Sequence, residues 1–191
     1  MCERCNWGFR NELMVNYHDT EWGVPLHDDR KLFEFLVLEG FQAGLSWQIV
    51  LNKREAFRNA FDHFDPEKVA AYDSRKVDEL MRNEAIIRNR RKIEASISNA
   101  RCFLQIIDEF GSFDQYIWAF VGFKPMVNHF TDIKQLPAKT PLSDVISNDL
   151  KKRGFRFVGS TVVYAHMQAT GMVNDHLVSC FRYREINDGM K

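Results

Sequence analysis

The feature that most constrains this chain is the helical periodicity at its centre. Between Ile86 and Gly111 the apolar residues Ile93, Ile97, Ala100, Leu104 and Ile107 step by 4, 3, 4 and 3. That spacing puts them on one face of a long helix. Related signals lie on both sides. Val50, Phe57 and Phe61 fall at helical offsets within Ser46 to Phe61. Asp65-Pro66-Glu67 reads as an N-cap, an N1 proline and a first-turn acid. Ser74 and Ser112 read as further caps, the second opening a segment that runs to Val121. Thr140-Pro141 starts a helix that continues to Arg153 and stops at Gly154. Another follows Gly159, carries Val158, Val162, Ala165 and Ala169 on one face, and ends near Gly171. No run of alternating residues marks a strand. Phe123 to Lys139, punctuated by Pro125 and Pro137, is the one long irregular stretch. The expected class is all-α, and residues 1–191 are expected to form one domain with its own core.

Composition narrows the partners. No apolar run approaches the roughly 18 residues of a membrane span. The start, Met-Cys-Glu-Arg-Cys-Asn-Trp, has no apolar core of a secretion signal. The expectation is a cytoplasmic protein with no membrane partner. Its 26 basic and 26 acidic side chains give a net charge of zero. That balance argues against indiscriminate coating of nucleic acid, yet it leaves room for a local basic patch. The 16 Phe, 5 Tyr and 4 Trp suffice for stacking sites as well as a core. In a reducing compartment the four cysteines are candidate metal ligands rather than a disulfide framework.

His176 and Cys180 are four positions apart, so on a helix they share a face. Cys5 and His18 lie at the other end of the chain. Two thiolates and two imidazoles form the ligand set of a closed tetrahedral zinc site, which would be structural because no position is left for water. Joining Cys5 to His176 would close a long loop and hold an N-terminal segment that otherwise frays. Spacing alone leaves an alternative open, with the histidines as ordinary polar residues and the cysteines as small core fillers. Cys2-x-x-Cys5 is a competing pair, as half a knuckle or a redox couple, and no second CxxC completes it. Cys102 is expected to be a packed core residue.

Leu150-Lys151-Lys152-Arg153-Gly154-Phe155-Arg156-Phe157-Val158-Gly159-Ser160-Thr161 reads as helix, turn, helix. Gly159 permits close backbone approach, and the next helix opens with unpaired N–H groups. Lys151, Lys152, Arg153 and Arg156 add positive charge, an arrangement suited to a DNA phosphate. A plain turn is the alternative. The other basic run, Arg88-Asn89-Arg90-Arg91-Lys92, spreads over several helix faces and is expected to be solvated.

Two segments are dense in pocket-type residues. One runs from Trp7 to Trp22 and includes Tyr17, His18 and Glu21; the other is Glu39-Gly40-Phe41-Gln42-Ala43-Gly44-Leu45-Ser46-Trp47. Here an apolar helix bearing Leu32, Phe35, Leu36 and Leu38 ends in a carboxylate. Gly40 and Gly44 then permit a sharp turn and close approach. Aromatics around an acid can grip a flat cationic ring. The alternative makes the tryptophans core residues and Glu39 a cap or ion-pair member.

Together these residues resemble the 3-methyladenine DNA glycosylase I family over nearly the whole chain. The resemblance rests on Cys5-Asn6-Trp7, Tyr17-His18-Asp19-Thr20-Glu21-Trp22-Gly23-Val24-Pro25, the Leu38 to Trp47 run, the Lys151 to Thr161 run, and Gly171-Met172-Val173-Asn174-Asp175-His176. It implies a helix-hairpin-helix repair fold, with the hairpin at about residues 141–170. One structural zinc at Cys5, His18, His176 and Cys180 would tie residues 1–25 to 171–185. The implied activity is hydrolytic excision of 3-methyladenine from alkylated double-stranded DNA, in base excision repair, with the free base as product. Glu39 is implied as the catalytic residue. Tyr17 and Trp47 would hold the base, with Trp7, Trp22 and Gln42 lining the pocket. Lys151, Lys152, Arg153, Gly154, Gly159, Ser160 and Thr161 would contact DNA, and Gly44-Leu45 would wedge into the gap left by the extruded nucleotide. The wider superfamily carries a catalytic aspartate in a Val-Asp-x-His context. This chain has Asn174 there, and Asp175 is not expected to act as a base. Met14 stands where the family pocket is associated with a tyrosine. No lysine is evident as a Schiff-base nucleophile, so a monofunctional, monomeric enzyme without strand cleavage is expected.

Overall fold

The central periodicity becomes the longest helix of a computed structural model that describes residues 3–9 and 11–189. In chain order the α-helices are α1 (Glu12–Thr20), α2 (Asp29–Gln42), α3 (Trp47–Asn52), α4 (Arg54–Ala60), α5 (Pro66–Ala70), α6 (Ser74–Arg82), α7 (Arg90–Phe110), α8 (Phe113–Ala119), α9 (Pro141–Lys152), α10 (Ser160–Ala169) and α11 (Phe181–Gly189). Two short strands, β1 (Met126–Val127) and β2 (Val173–Asn174), pair in parallel. Among the described residues no helix is long and apolar enough to cross a membrane.

Local chemistry sets most helix ends. Asn89 caps α7 by accepting from the Lys92 N–H, and Gly111, at φ 86°, ends it in the left-handed conformation. Asp65, Ser112 and Thr140 cap α5, α8 and α9 as their sequences predict. The α6 cap is Asp73 rather than Ser74, which is the first helical residue. Ser46 to Phe61 is two helices broken at Lys53, although Val50, Phe57 and Phe61 are all buried. On α7 the buried face starts at Ile93, Ile97 and Ala100, then shifts to Phe103 and Ile106. Leu104 and Ile107 are half-buried. A stripe stepping by 4 and 3 drifts around a straight helix, and Phe103 stacks on Phe113 at 4.2 Å.

The core gathers on α2, where Leu32, Phe33, Leu36, Val37, Leu38 and Phe41 are buried against α7, α8 and α10. A second cluster, containing Cys5, Met14, Tyr17, Trp22, Phe35, Leu51, Ala169, Leu177 and Cys180, joins both ends of the chain. Among the described residues the β1–β2 pair is the one departure from an all-α reading. It matches Met126 to Val173 and Val127 to Asn174, and so fastens the irregular stretch to the segment that carries His176. Two residues are too few for alternation to reveal a strand.

Between α9 and α10 the chain turns through residues 153–159. Gly154, at φ 95°, makes the reversal. Asn99 on α7 clamps the turn, accepting from the Arg156 N–H at 2.8 Å and donating to the Arg156 carbonyl at 2.9 Å. The Ser147 hydroxyl donates to the Val158 carbonyl at 2.6 Å.

Candidate functional site

Helices α1, α2, α3 and α10 converge around a cavity of about 330 Å³, within the range of small-ligand sites. From α1, Met14 and Tyr17 face it one turn apart. The last turn of α2 supplies Glu39 and Gln42, and α3 supplies Trp47 and Gln48. Trp7 and Trp22 close one side, and Ile133 and Leu136 come from the irregular stretch. Trp7 and Trp22 meet edge-on at 4.8 Å, and the Tyr17 and Trp47 rings lie 5.3 Å apart. The predicted apolar face of α10 turns out to be cavity wall at Ala165 and Ala169. The core side of that helix is Val163, Tyr164, His166 and Met167. The structure thus brings together all the pocket residues expected from sequence: Trp7, Tyr17, Trp22, Glu39, Gln42 and Trp47.

Glu39 is 2% exposed. Its Oε2 lies 3.1 Å from His166 Nδ1. Among the described residues its Oε1 has no hydrogen-bond partner, and neither does Trp47 Nε1 or His166 Nε2. Buried polar atoms left unpaired are uncommon in folded proteins and ask for an explanation. Burial pushes the Glu39 carboxyl above the usual carboxylate range, while the charge and hydrogen bond of His166 pull it back. The Tyr17 hydroxyl is also raised, first by burial and then by the negative charges of Glu39 and Glu21, with Arg54 acting the other way. His166 escaped the sequence reading. Its partner is 127 positions away, and a histidine on an apolar helix announces nothing locally.

A second polar cluster lies behind the Trp7 and Trp22 wall. One ligand atom each from Cys5, His18, His176 and Cys180 lies within 4.8 Å of the others, and all four residues are buried. Cys5 Sγ and Cys180 Sγ are both 3.6 Å from His176 Nδ1, and Cys180 Sγ is 3.5 Å from His18 Nε2. Zinc bonds of about 2.3 Å to sulfur and about 2.05 Å to nitrogen at a tetrahedral angle place S and N about 3.6 Å apart. The donor set therefore fits a zinc ion in chemistry and in spacing. The outer ring nitrogens are also held, His18 Nδ1 at 2.7 Å from Asp19 and His176 Nε2 at 2.9 Å from the Trp22 carbonyl. Such contacts select which nitrogen faces a metal. The Cys180 thiol is held far below its ordinary value, first by hydrogen bonding to Cys5 and then by the two imidazoles. The stretch from His176 to Cys180, which would share a face if helical, is a turn closed by the Cys180 N–H on the Leu177 carbonyl, and α11 starts only at Phe181. Cys2 lies outside the described residues. Cys102 is half-buried against Gly154.

The chain matches the methyladenine glycosylase family over residues 7–183. It belongs to that family. It is 50% identical over 181 residues to DNA-3-methyladenine glycosylase 1 of Escherichia coli, covering 95% of this chain and 97% of that protein. Its fold superposes on a crystal structure of 3-methyladenine DNA glycosylase I with a TM-score of 0.91 at 49% identity, over 94% of this chain and 98% of that one. The Staphylococcus aureus glycosylase, whose structure describes 3-methyladenine recognition, matches at 36% identity with a TM-score of 0.90, over 93% of this chain and 95% of that one.

In this member of the methyladenine glycosylase family, the end of α2, with the turn that follows it, lies against the α9–α10 turn through Gly40 and Phe157. Gly44, at φ 85°, makes the first turn, and Leu45 stands out from it at 39% exposure. Gly40 is helical, and a side chain there would meet Phe157. Lys92 corrects the expectation of a solvated run. It is 7% exposed and donates from Nζ to the carbonyls of Phe41 and Ala43 at 2.8 and 2.7 Å. Those carbonyls end α2 and have no partner within the helix. Flanking the second turn, Lys151 and Lys152 at the end of α9 are exposed, and so is Thr161 in α10. Gly159 starts α10 with no side-chain cap, so its first N–H groups are open. The Ser160 hydroxyl meets that of Ser143 at 2.7 Å. Arg153 is already engaged, by Glu109 at 2.6 Å and Asp149 at 2.9 Å and over the Phe110 and Tyr116 rings. Asp175 is buried and accepts from Asn128, Tyr164 and Gln168.

Proposed function

We propose that this chain flips 3-methyladenine out of alkylated duplex DNA and hydrolyses its N-glycosidic bond, the opening step of base excision repair. The observation that carries this reading is the aromatic-walled cavity with one buried carboxylate whose Oε1 is uncommitted. Methylation at N3 makes the base cationic, so C1′–N9 scission sends both bonding electrons to the base, which departs neutral. Water adds to C1′ and releases a proton, leaving an abasic sugar. Little acid help is needed, and the protein's work is extrusion and recognition. Tyr17, Trp47, Trp7 and Trp22 wall a slot for a flat ring, and Glu39 accepts hydrogen bonds from the base edge. An ionised carboxylate in a dry site favours a cationic ring over a neutral one. Met14 adds apolar surface there. The names of the Escherichia coli and Staphylococcus aureus relatives support the choice of base.

The DNA-facing parts follow the same reading. Leu45, braced by Lys92 beneath its turn, fills the gap left by the base. The α9–α10 pair serves as a helix-hairpin-helix anchor, with open N–H groups beside Gly159 and the charges of Lys151 and Lys152 on phosphates. Arg153 acts mainly by holding the hairpin to Glu109 and Asp149. Cys5, His18, His176 and Cys180 hold one structural zinc, which joins the two ends of the chain behind the Trp7 and Trp22 wall. Such an ion would supply a rigid four-way node, with all four positions taken by protein.

The test is chromatography of the bases released from methylated duplex DNA. The expected product is 3-methyladenine with intact, abasic strands. Binding to damaged DNA without any free base would overturn the reading. A borohydride-trapped covalent adduct would overturn its monofunctional part.

A further inference from the structure

Helix α10 presents Ala165, Gln168 and Ala169 to the cavity, whereas His166 points away into the core and is not part of the wall. It is 2% exposed. Yet its Nδ1 lies 3.1 Å from Oε2 of Glu39, the carboxylate of the cavity wall. A carboxylate can only accept, so while Glu39 is ionised the proton of this contact belongs to Nδ1. Nε2 is buried and has no partner among the described residues.

The other charged groups nearby are otherwise engaged. On the α1 side Tyr17 lines the cavity, and Glu21 is paired with Arg54 of α4 at 2.7 Å. On α7, Lys92 is bonded to the carbonyls of Phe41 and Ala43. From α3 comes Trp47, which is uncharged. The hydrogen bond that Glu39 makes among the described residues is therefore the one from α10.

We propose that His166 is a positioning residue, which donates from Nδ1 to Oε2 and so holds the Glu39 carboxylate with Oε1 presented to the base. The inference rests on the assignment of 3-methyladenine to this cavity. A glutamate at the end of a helix has three rotatable side-chain bonds, and one hydrogen bond from a ring locked in the core fixes its plane. Without that bond both oxygens lie buried and free, and the carboxyl is driven further toward its neutral form, which presents a hydroxyl to the base edge in place of one of its two acceptor oxygens.

Three substitutions separate positioning from packing. His166→Asn puts an amide N–H near the Nδ1 position, His166→Gln puts one near Nε2, and His166→Phe keeps the ring shape without a donor. Two measurements are made on each. One is the pH midpoint of the Glu39 carboxyl, followed by carbon NMR in the protein without base. The other is single-turnover release of 3-methyladenine from methylated duplex DNA. Wild type and His166→Asn should agree within about threefold in rate, with similar midpoints. His166→Phe and His166→Gln should raise the midpoint and slow release about tenfold or more at neutral pH, as expected for losing a hydrogen bond to a charged group. If His166→Phe does not fold, the contrast between Asn and Gln carries the test. Equal rates and an unmoved Glu39 midpoint in the Gln variant would overturn the proposal. Wild type that releases no 3-methyladenine, while Glu39 still titrates with the residue at 166, overturns the base assignment and not the pairing.

Discussion

Two buried polar clusters share a wall in this protein and are finished to different degrees. In the Cys5, His18, His176 and Cys180 cluster the four donor atoms converge on one point, and both imidazoles have an outer partner, Asp19 or the Trp22 carbonyl. In the Glu39 cluster, Oε1, Trp47 Nε1 and His166 Nε2 are buried with no partner among the described residues. The Trp7 and Trp22 rings stand between the two, edge-on to His18 at 5.2 Å and to His176 at 4.6 Å. Convergent donors suit a group that stays. Unpaired atoms are tolerated where a ligand is to come and go, because leaving them costs stability. The first cluster is therefore read as a fastening and the second as a receptor.

The sharpest way to break this contrast is to damage the fastening. Cys180→Ser or His176→Ala should abolish retention of one zinc per chain, read by elemental analysis. The melting temperature should fall by about 10 °C or more, since a structural ion contributes to folding directly and a chain of this size loses about 2–4 °C per kcal/mol. Excision should fail with it as the Trp7 and Trp22 wall shifts. A variant that melts like wild type would place the fastening elsewhere.

Next in size is the receptor. Glu39→Gln should lower single-turnover excision about 100-fold or more, comparable to removing a preorganised polar group. Its melting temperature should hold or rise by a few degrees, because a buried carboxylate gives way to a neutral amide. Loss of fold there would contradict the contrast. The pH dependence has a definite sign. The folded Glu39 carboxyl sits above its unfolded value, so the folded state binds the extra proton between the two. Its contribution to stability falls as pH rises through that window. Excision, which needs the ionised form, should rise over the same window, with a midpoint above the usual carboxylate value of about 4.3. Glu39→Gln should flatten both curves, checked by melts and rate profiles across pH.

Smaller effects belong to the DNA face. Lys92→Met strips the carbonyls of Phe41 and Ala43 of their donor and loosens the Leu45 turn. Affinity for abasic or damaged duplex should fall about threefold to tenfold in a fluorescence titration, with binding of free 3-methyladenine unchanged. Least severe is Lys151→Ala with Lys152→Ala. It should weaken DNA binding uniformly across sequences and reduce the salt slope by about 2, measured by titration at several salt concentrations.

Legibility from sequence followed the range of the interaction. Asp65, Ser112 and Thr140 act on N–H groups two or three residues away, and each could be read directly. The six pocket residues were recoverable because two short segments dense in acid, glycine and tryptophan carry the family resemblance that assigns them. The break at Lys53, the β1–β2 pair and the burial of Lys92 were not. The carbonyls that Lys92 serves are 51 and 49 positions away, and nothing in a basic run shows which of its members will be drawn inside.

The sequence by itself determined the central helices, several of their caps and the inventory of side chains able to bind metal, stack on a base or accept a proton. Only the tertiary structure decided which of those polar atoms found partners. It set His166 behind Glu39, tied Arg153 to Glu109 and closed the Cys and His cluster around a turn rather than a helix. The physical reason is that periodicity and capping act within one or two turns of backbone. Satisfaction of a buried donor or acceptor depends on distances between segments that meet only when the core has packed.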